Sequence, residues 1–410
     1  MTTYQFICEN IDKTSRVYTK RPKGKKSLIG LPYPFTSPCI DGIFQEMYYW
    51  DTYFTNKGLL EIGRQEQAVN NVKNFLYLLT NYGKIPNGNR MDYLSRSQPP
   101  FLGLMLEDIL QNAPNALSLQ DAFDGLELEL AFWNTKRILS NGLNCYGCDL
   151  PESELVRKLH VTGYRKRTGK KVAYTVENAR NILCECESGW DFSPRFDLQC
   201  SVCNPIDLNC LLYKDETLLS TWAERLGDEQ KSRLYANAAQ ERADKIRALM
   251  RKEGLYFDYN AAKDCCCETL SCASLFPYFV GLDNDIAGFQ KALAYLERCF
   301  GVVACASQEN CYQWSAPNSW APLNFVAFFA AKRLSLTEVA LRIAKKYIKA
   351  TDKLFAQTGK LWEKYNADNG ELDHTSEYGT PDMLGWTAGV YIVCKNAIEK
   401  IGQREKYEKV

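Results

Sequence analysis

Apolar residues return every three to four positions along most of this chain, and that spacing constrains the architecture more than any other feature. From Gln65 to Thr80, the residues Val69, Val72, Phe75, Leu76 and Leu79 fall on one face of a helix. Ser335-x-x-Glu338 has the form of a capping box and predicts a helix burying Leu336, Val339, Ile343 and Tyr347. Comparable segments lie near residues 100–113, 118–138, 207–226, 229–252, 284–298, 318–333 and 383–401. Strand signals are few, and Gly254 to Asp258 is the clearest. About a dozen helices separated by turns, with no Pro-rich or Gly/Ser-rich linker, predict an all-α fold of hairpins around one core. A ring of six hairpins, an α/α toroid with short strands in its loops, is the economical arrangement. It would form one catalytic-size domain over residues 1–410, with the loops at one end converging on the axis.

Charge narrows the ligand. The 50 Lys and Arg nearly balance 49 Asp and Glu, a net charge of +1, so no global field attracts nucleic acid or an anionic membrane. The expected partner is small and neutral, and the oligomeric state is left open. Met1 to Glu9 lacks a basic segment followed by an apolar one, and no run of eighteen apolar residues occurs, which predicts a cytoplasmic protein. In that setting the 17 cysteines read mostly as reduced core thiols. Cys145-x-x-Cys148 and Cys200-x-x-Cys203 have the composition of a four-thiolate zinc site, and Cys265, Cys266, Cys267 and Cys272 form another dense patch. Neither pair lies in a ribbon-like knuckle, so no metal and no cofactor is expected. His160 and His374 are the only histidines, which disfavours multi-histidine metal sites and a Ser-His-Asp triad.

Several segments between the helices share a vocabulary of Trp, Tyr, Asn, Arg and carboxylates. In Glu187-Ser188-Gly189-Trp190-Asp191-Phe192-Ser193, a carboxyl stands beside an indole and a glycine. A carboxyl against an apolar ring holds its proton toward neutral pH and can serve as a general acid, and glycoside hydrolysis needs a second carboxyl as partner. Phe44 to Tyr53 contains Trp50 and Asp51, which fit either a sugar contact or an aromatic helix start packed in the core. Ile85 to Arg90 and Ser95 to Pro100 combine Asn87, Arg90, Arg96 and Gln98 with Pro and Gly, fitting either binding or turn chemistry. Gln313 to Pro322 carries two Trp that either plug the core or line a cleft. Glu377-Tyr378-Gly379 precedes Gly385-Trp386-Thr387, and Glu377 is either a base or a surface carboxylate. The basic run Arg165 to Lys171 reads as a solvated loop.

Together these segments resemble the trehalase family of glycoside hydrolases. The chain reads FxExYxWDxY at Phe44 to Tyr53, IPNGNR at Ile85 to Arg90, YLSRSQPP at Tyr93 to Pro100, ESGWDFS at Glu187 to Ser193, QWSAPNSWAP at Gln313 to Pro322, and EY followed by GWTxGV ending at Val390. The resemblance covers about residues 30–400 and implies an α/α toroid and an inverting mechanism. It implies Asp191 as general acid, Glu377 as general base, and roughly 6.5–9.5 Å between them to admit a water. Implied sugar contacts are Phe44, Trp50, Asp51, Asn87, Arg96, Gln98, Gly189 and Trp314, with the Trp190 ring helping to keep Asp191 protonated. The chain also departs from the family pattern. Ile43 and Leu183 stand where arginines are usual, Ser315 and Ser319 replace Asp and Gly, and Asp373-His374-Thr375-Ser376 replaces a glycine-rich run. Lost buried hydrogen bonds of about 1.5–3 kcal/mol each would change the preference among sugars. The leading expectation is an inverting α-glycosidase acting on trehalose or a related small α-glucoside. A hydrolase of another α-glycoside, such as an α-mannoside or a glucosylglycerate-like compound, and a non-catalytic sugar-binding relative are the alternatives. Keeping both Asp191 and Glu377 argues against the last.

Overall fold

The computed structural model describes residues 1–19, 27–307, 309, 311–372 and 380–407, with side chains to residue 401. In chain order its helices begin with α1 (Thr3–Asn10), α2 (Tyr49–Glu61), α3 (Gln65–Tyr82), α4 (Leu102–Asn112) and α5 (Leu119–Lys136). An excursion follows, made of α6 (Glu152–Thr162), α7 (Tyr164–Thr168) and α8 (Val176–Glu187). Next come α9 (Ile206–Leu226), α10 (Glu229–Leu249), α11 (Phe276–Val280) and α12 (Ile286–Leu296). The last are α13 (Ala321–Arg333), α14 (Thr337–Thr358) and α15 (Gly385–Tyr407). Helices α2, α4, α9, α11, α13 and α15 each pack on the next, and α15 returns to α2, so they close an inner circle. Helices α3, α5, α10 and α14 pack outside that circle, and α1 lies against α14 and α15. This is the α/α toroid expected from the periodicity.

Position in the ring explains each helix's composition. Outer α14 buries a stripe of Ala340, Ile343, Ala344, Tyr347, Thr351 and Leu354, the one-sided pattern of a helix with a solvent face. Inner α2 buries Tyr49 to Asn56 without a break, and inner α13 buries Ala321 to Phe328 likewise. A helix enclosed on all sides needs no polar face.

Two local expectations are corrected. Ser335 does not cap α14: it sits at φ +59°, and the helix opens after Leu336 with no side-chain cap. The strand expected from Gly254 to Asp258 is reduced to Leu255–Tyr256, paired with Arg251–Lys252 in a tight hairpin. The excursion between α5 and α9 builds a small core from Leu155, Leu159, Tyr164, Ile182, Leu183 and Phe192, joined by Tyr312 from the loop before α13 and separate from the large toroid core. The basic run taken for a solvated loop enters this excursion, with Arg165 to Thr168 inside α7.

The ring closes where α2 and α15 cross. A Cβ on Gly58 would collide with Gly389 Cα, and one on Gly389 would collide with the carbonyl of Phe54. The two backbones touch there, and backbone cannot move aside as a flexible side chain can. Gly389→Ala is therefore expected to destabilise the protein by about 1–3 kcal/mol, the usual cost of overpacking a filled interface, read as a lowered denaturation midpoint in urea.

Candidate active site

The site begins at the first turn of α2. Its early N–H groups have no partner inside the helix, and they are met by two loops. Tyr49 N–H donates to the carbonyl of Asn87 at 3.1 Å, and Trp50 N–H donates to Gln98 Oε1 at 3.1 Å. Asn89 Oδ1 accepts from Met47 N–H at 2.8 Å, and Asn87 N–H donates to the carbonyl of Arg96 at 3.1 Å. The IPNGNR and SRSQPP segments are thus held against α2, and Gln98 spends its carbonyl oxygen on holding the helix. Arg96 lies over the Tyr93 ring at 5.0 Å, and its Nε is buried without a hydrogen bond. Phe44 has φ +54° and packs edge-on against Tyr48 at 5.7 Å.

A second wall comes from the end of α8. Gly189 has φ +75°, and a Cβ there would lie 2.9 Å from Trp50 Cε2, so both conformation and the close indole require glycine. Trp50, Trp190, Trp314, Trp320 and Trp386 form a continuous aromatic cluster. Trp314 stacks on Trp320 at 3.9 Å, lies 5.2 Å from Trp190 and 5.7 Å from Trp50. Trp50 and Trp314 are each only 2% exposed, so they form the packed body of the wall.

Asp191 stands at the edge of this cluster with 31% of its side chain exposed. Its backbone carbonyl accepts from Gln313 Nε2 at 2.7 Å and from Arg167. Its carboxylate pairs with Arg167 Nη1 at 2.8 Å. Trp314 N–H donates to the carbonyl of Phe192 at 3.2 Å, which joins the two Trp-bearing loops. The sequence led us to expect an apolar setting for Asp191, with the Trp190 ring beside it. Trp190 is instead fully buried under Trp314 and the Arg195 guanidinium, 4.4 Å from its ring, and the neighbour bonded to the Asp191 carboxylate is a cation from the supposed surface run. Arg167 also lies over Phe192 at 4.3 Å.

The motif's first carboxylate has a different task. Glu187 is fully buried and accepts from Arg137 Nε at 2.7 Å and Nη2 at 3.0 Å, from Ser97 N–H at 2.6 Å and from Gly147 N–H at 2.5 Å. Every lone-pair direction is used, so Glu187 fixes the SRSQPP loop to α8. Asp51 is buried in the first turn of α2, and its pKa is pushed up from the ordinary 3.8 to about 8. Burial is the main cause, followed by repulsion from Glu363 and, more weakly, from Asp191.

Of the residues that depart from the family pattern, Ile43 is 48% exposed, whereas Leu183 is buried in the small excursion core. Ser315 donates to the carbonyl of Ser307 at 3.0 Å, and Ser319 accepts from Asn324 at 2.8 Å. Glu377 and the Asp373 to Ser376 run lie outside the described residues. Among the described residues no group of three or more His, Cys, Asp or Glu is placed to hold a metal. Sequence reasoning passed over Arg167, Arg195 and Gln313. Arg195 follows the motif by two positions and Gln313 opens the next one, which is the signal that could have found them.

A helical ring whose loops bring carboxyls and tryptophans together at one site is a glycoside hydrolase architecture, and comparison with known proteins places the chain in that class. The family model described as Trehalase matches residues 5–398. A trehalase from Oryctolagus cuniculus is 32% identical, over 92% of this chain and 69% of that protein. A periplasmic trehalase from Xanthomonas oryzae pv. oryzae is 33% identical, over 90% of this chain and 69% of that protein. Neutral trehalase Nth1 from Saccharomyces cerevisiae superposes with a TM-score of 0.77 at 25% identity, covering 98% of this chain and 81% of its own. The chain belongs to the trehalase family.

The Asp51 shift has a measurable sign. Its folded pKa lies above the unfolded value, so between pH 4 and 8 the folded state holds a proton that the unfolded state has lost. Stability therefore falls as pH rises through that window. Asp51→Asn is expected to flatten the pH dependence of unfolding free energy by up to about 1.4 kcal/mol per pH unit, measured by urea denaturation across the window.

Proposed function

We propose that this trehalase-family enzyme hydrolyses trehalose or a related small α-glucoside with inversion of configuration. Asp191 protonates the glycosidic oxygen and Glu377 activates the attacking water. The observation that carries this reading is the convergence on one site of a partly exposed Asp191, a buried Asp51 and the loops bearing Asn87 and Arg96. Asp51 and Arg96 supply an acceptor and a buried donor for sugar hydroxyls. Phe44 offers an aromatic face, and Trp50, Gly189 and Trp314 shape the wall. Asn87 and Gln98 hold the loops in place beside the sugar. The toroid and its excursion act as one catalytic unit over residues 1–410, needing no metal or cofactor.

A second reading, a different leaving group, is favoured by one observation. Ile43, in the residue position where the family pattern has arginine, is a half-exposed apolar side chain beside Phe44. A site so lined discriminates among aglycones differently, and a panel of α-glucosides, α-mannosides and glucosylglycerate-like substrates separates the two. As to location, no helix among the described residues is long and apolar enough to cross a membrane. The cysteines are all free thiols, which suits a reducing cytoplasm, while the relatives include periplasmic trehalases.

Inversion at α,α-trehalose releases one β- and one α-glucose, whereas retention releases only the α-anomer. Proton NMR in the first turnovers is expected to show both in equal amounts, and an all-α product would rule out inversion. Asp191→Asn is expected to lower kcat by roughly 10²–10⁴-fold with an unchanged circular dichroism spectrum. Full activity in that variant would assign the acid elsewhere.

A further inference from the structure

One buried carboxyl beside the site has no part in the mechanism so far. Glu185 lies in the last turn of α8 and is 3% exposed. Its Oε1 accepts from Ser193 N–H at 2.8 Å and from Ser193 Oγ at 3.1 Å. Its backbone carbonyl accepts from Ser188 Oγ at 2.6 Å and Ser188 N–H at 3.1 Å. Glu185 therefore grips both ends of the Ser188 to Ser193 turn, and Asp191 stands between the two grips.

We propose that Glu185 is a positioning residue for Asp191, clamping the turn that presents it and coupling its own charge to that of the acid. The inference rests on the reading of Asp191 as general acid. The clamp works through geometry: without the Ser193 bonds, the hydrogen bonds described between the turn and Glu185 are those of Ser188, and packing of Phe192 alone holds its far end against α8. A displacement of about 1 Å in a reacting group costs on the order of 100-fold in rate.

The coupling is electrostatic. Among the described residues, the charged groups facing Glu185 are Asp191 and Arg195. The neutral titratable groups around it are Tyr164, Tyr312, Cys186, Cys200 and Cys305. Burial raises the Glu185 carboxyl to about 8, opposed by the Ser193 bonds and reinforced by Asp191. Below that pH Glu185 is neutral, and above it a second negative charge faces the turn that carries Asp191.

The test compares Glu185→Ala, Glu185→Gln and Asp191→Asn on trehalose, or on the best substrate of the panel. Glu185→Ala is expected to lower kcat by on the order of tenfold or more with KM within about twofold. Glu185→Gln keeps the acceptor and restores most of kcat near neutral pH, but its profile of kcat against pH departs from the parent's above about pH 8 because the second charge never forms. Full kcat in Glu185→Ala, or a Glu185→Gln profile superimposable on the parent, overturns the proposal. Should Glu185→Ala fail to fold, the Glu185→Gln profile decides. An active Asp191→Asn variant would instead overturn the assignment of Asp191 itself, so the two failures are distinguishable.

Discussion

The site depends on one buried cation. Arg195 is fully enclosed, and its guanidinium binds Asp207 at 2.8 and 3.0 Å and Asp258 at 2.8 and 2.9 Å, a double fork with both carboxylates. Asp207 lies in the first turn of inner helix α9, and Asp258 leads into a small sheet in which Tyr259–Asn260 pairs with Cys203–Asn204 and Cys265–Cys266. Asp258 also accepts from Ile206 N–H, the first of that helix. The guanidinium face meanwhile covers Trp190. A single side chain thus joins the ring, the sheet and the loop that carries Asp191. Removing the shared Arg195 from such a buried set costs about 3–5 kcal/mol because both carboxylates lose their counter-charge.

From that anchor the architecture divides its labour. The toroid supplies rigid helix ends, and loops tied to them by backbone hydrogen bonds carry the polar side chains. Glu187 and Arg137 lock the SRSQPP loop to α8, and Gln313 locks the next Trp loop to Asp191. The excursion between α5 and α9 brings its own small core up to Asp191 through Phe192 and sets Arg167 on the carboxylate. Pre-organisation of this kind holds the Asp191 side chain in one place against its loops.

What could be read in advance follows from exposure. The outer helices alternate polar and apolar because one face meets water, so Gln65 to Thr80 and the α14 stripe were legible from spacing alone. Inner α2 is buried on nearly every side, and the periodic signal vanishes with the solvent face. Its motif fits core and cleft equally well by composition, and the structure buries both Trp50 and Asp51. The excursion was not legible: α6 to α8 are short and polar, and the partner of Arg167 is distant in sequence. Ser335 had the right residue for a cap and the wrong backbone conformation. The motif's chemistry was legible while the division of its carboxyls was not, because Glu187 becomes structural through partners distant in sequence: Arg137, Ser97 and Gly147.

The Gly58–Gly389 crossing joins the first inner helix to the last. During synthesis α2 emerges well before α15, so the circle stays open at that seam until α15 has left the ribosome. Until α15 docks, the inward faces of α2 and α13 have no neighbour there, and apolar surface built for a closed ring faces water. Assembly is then governed by a contact of long sequence separation, the kind that forms slowly because its loop-closure entropy must be met before it gains anything. The trait that makes the mature ring rigid makes its nascent form dependent on protection.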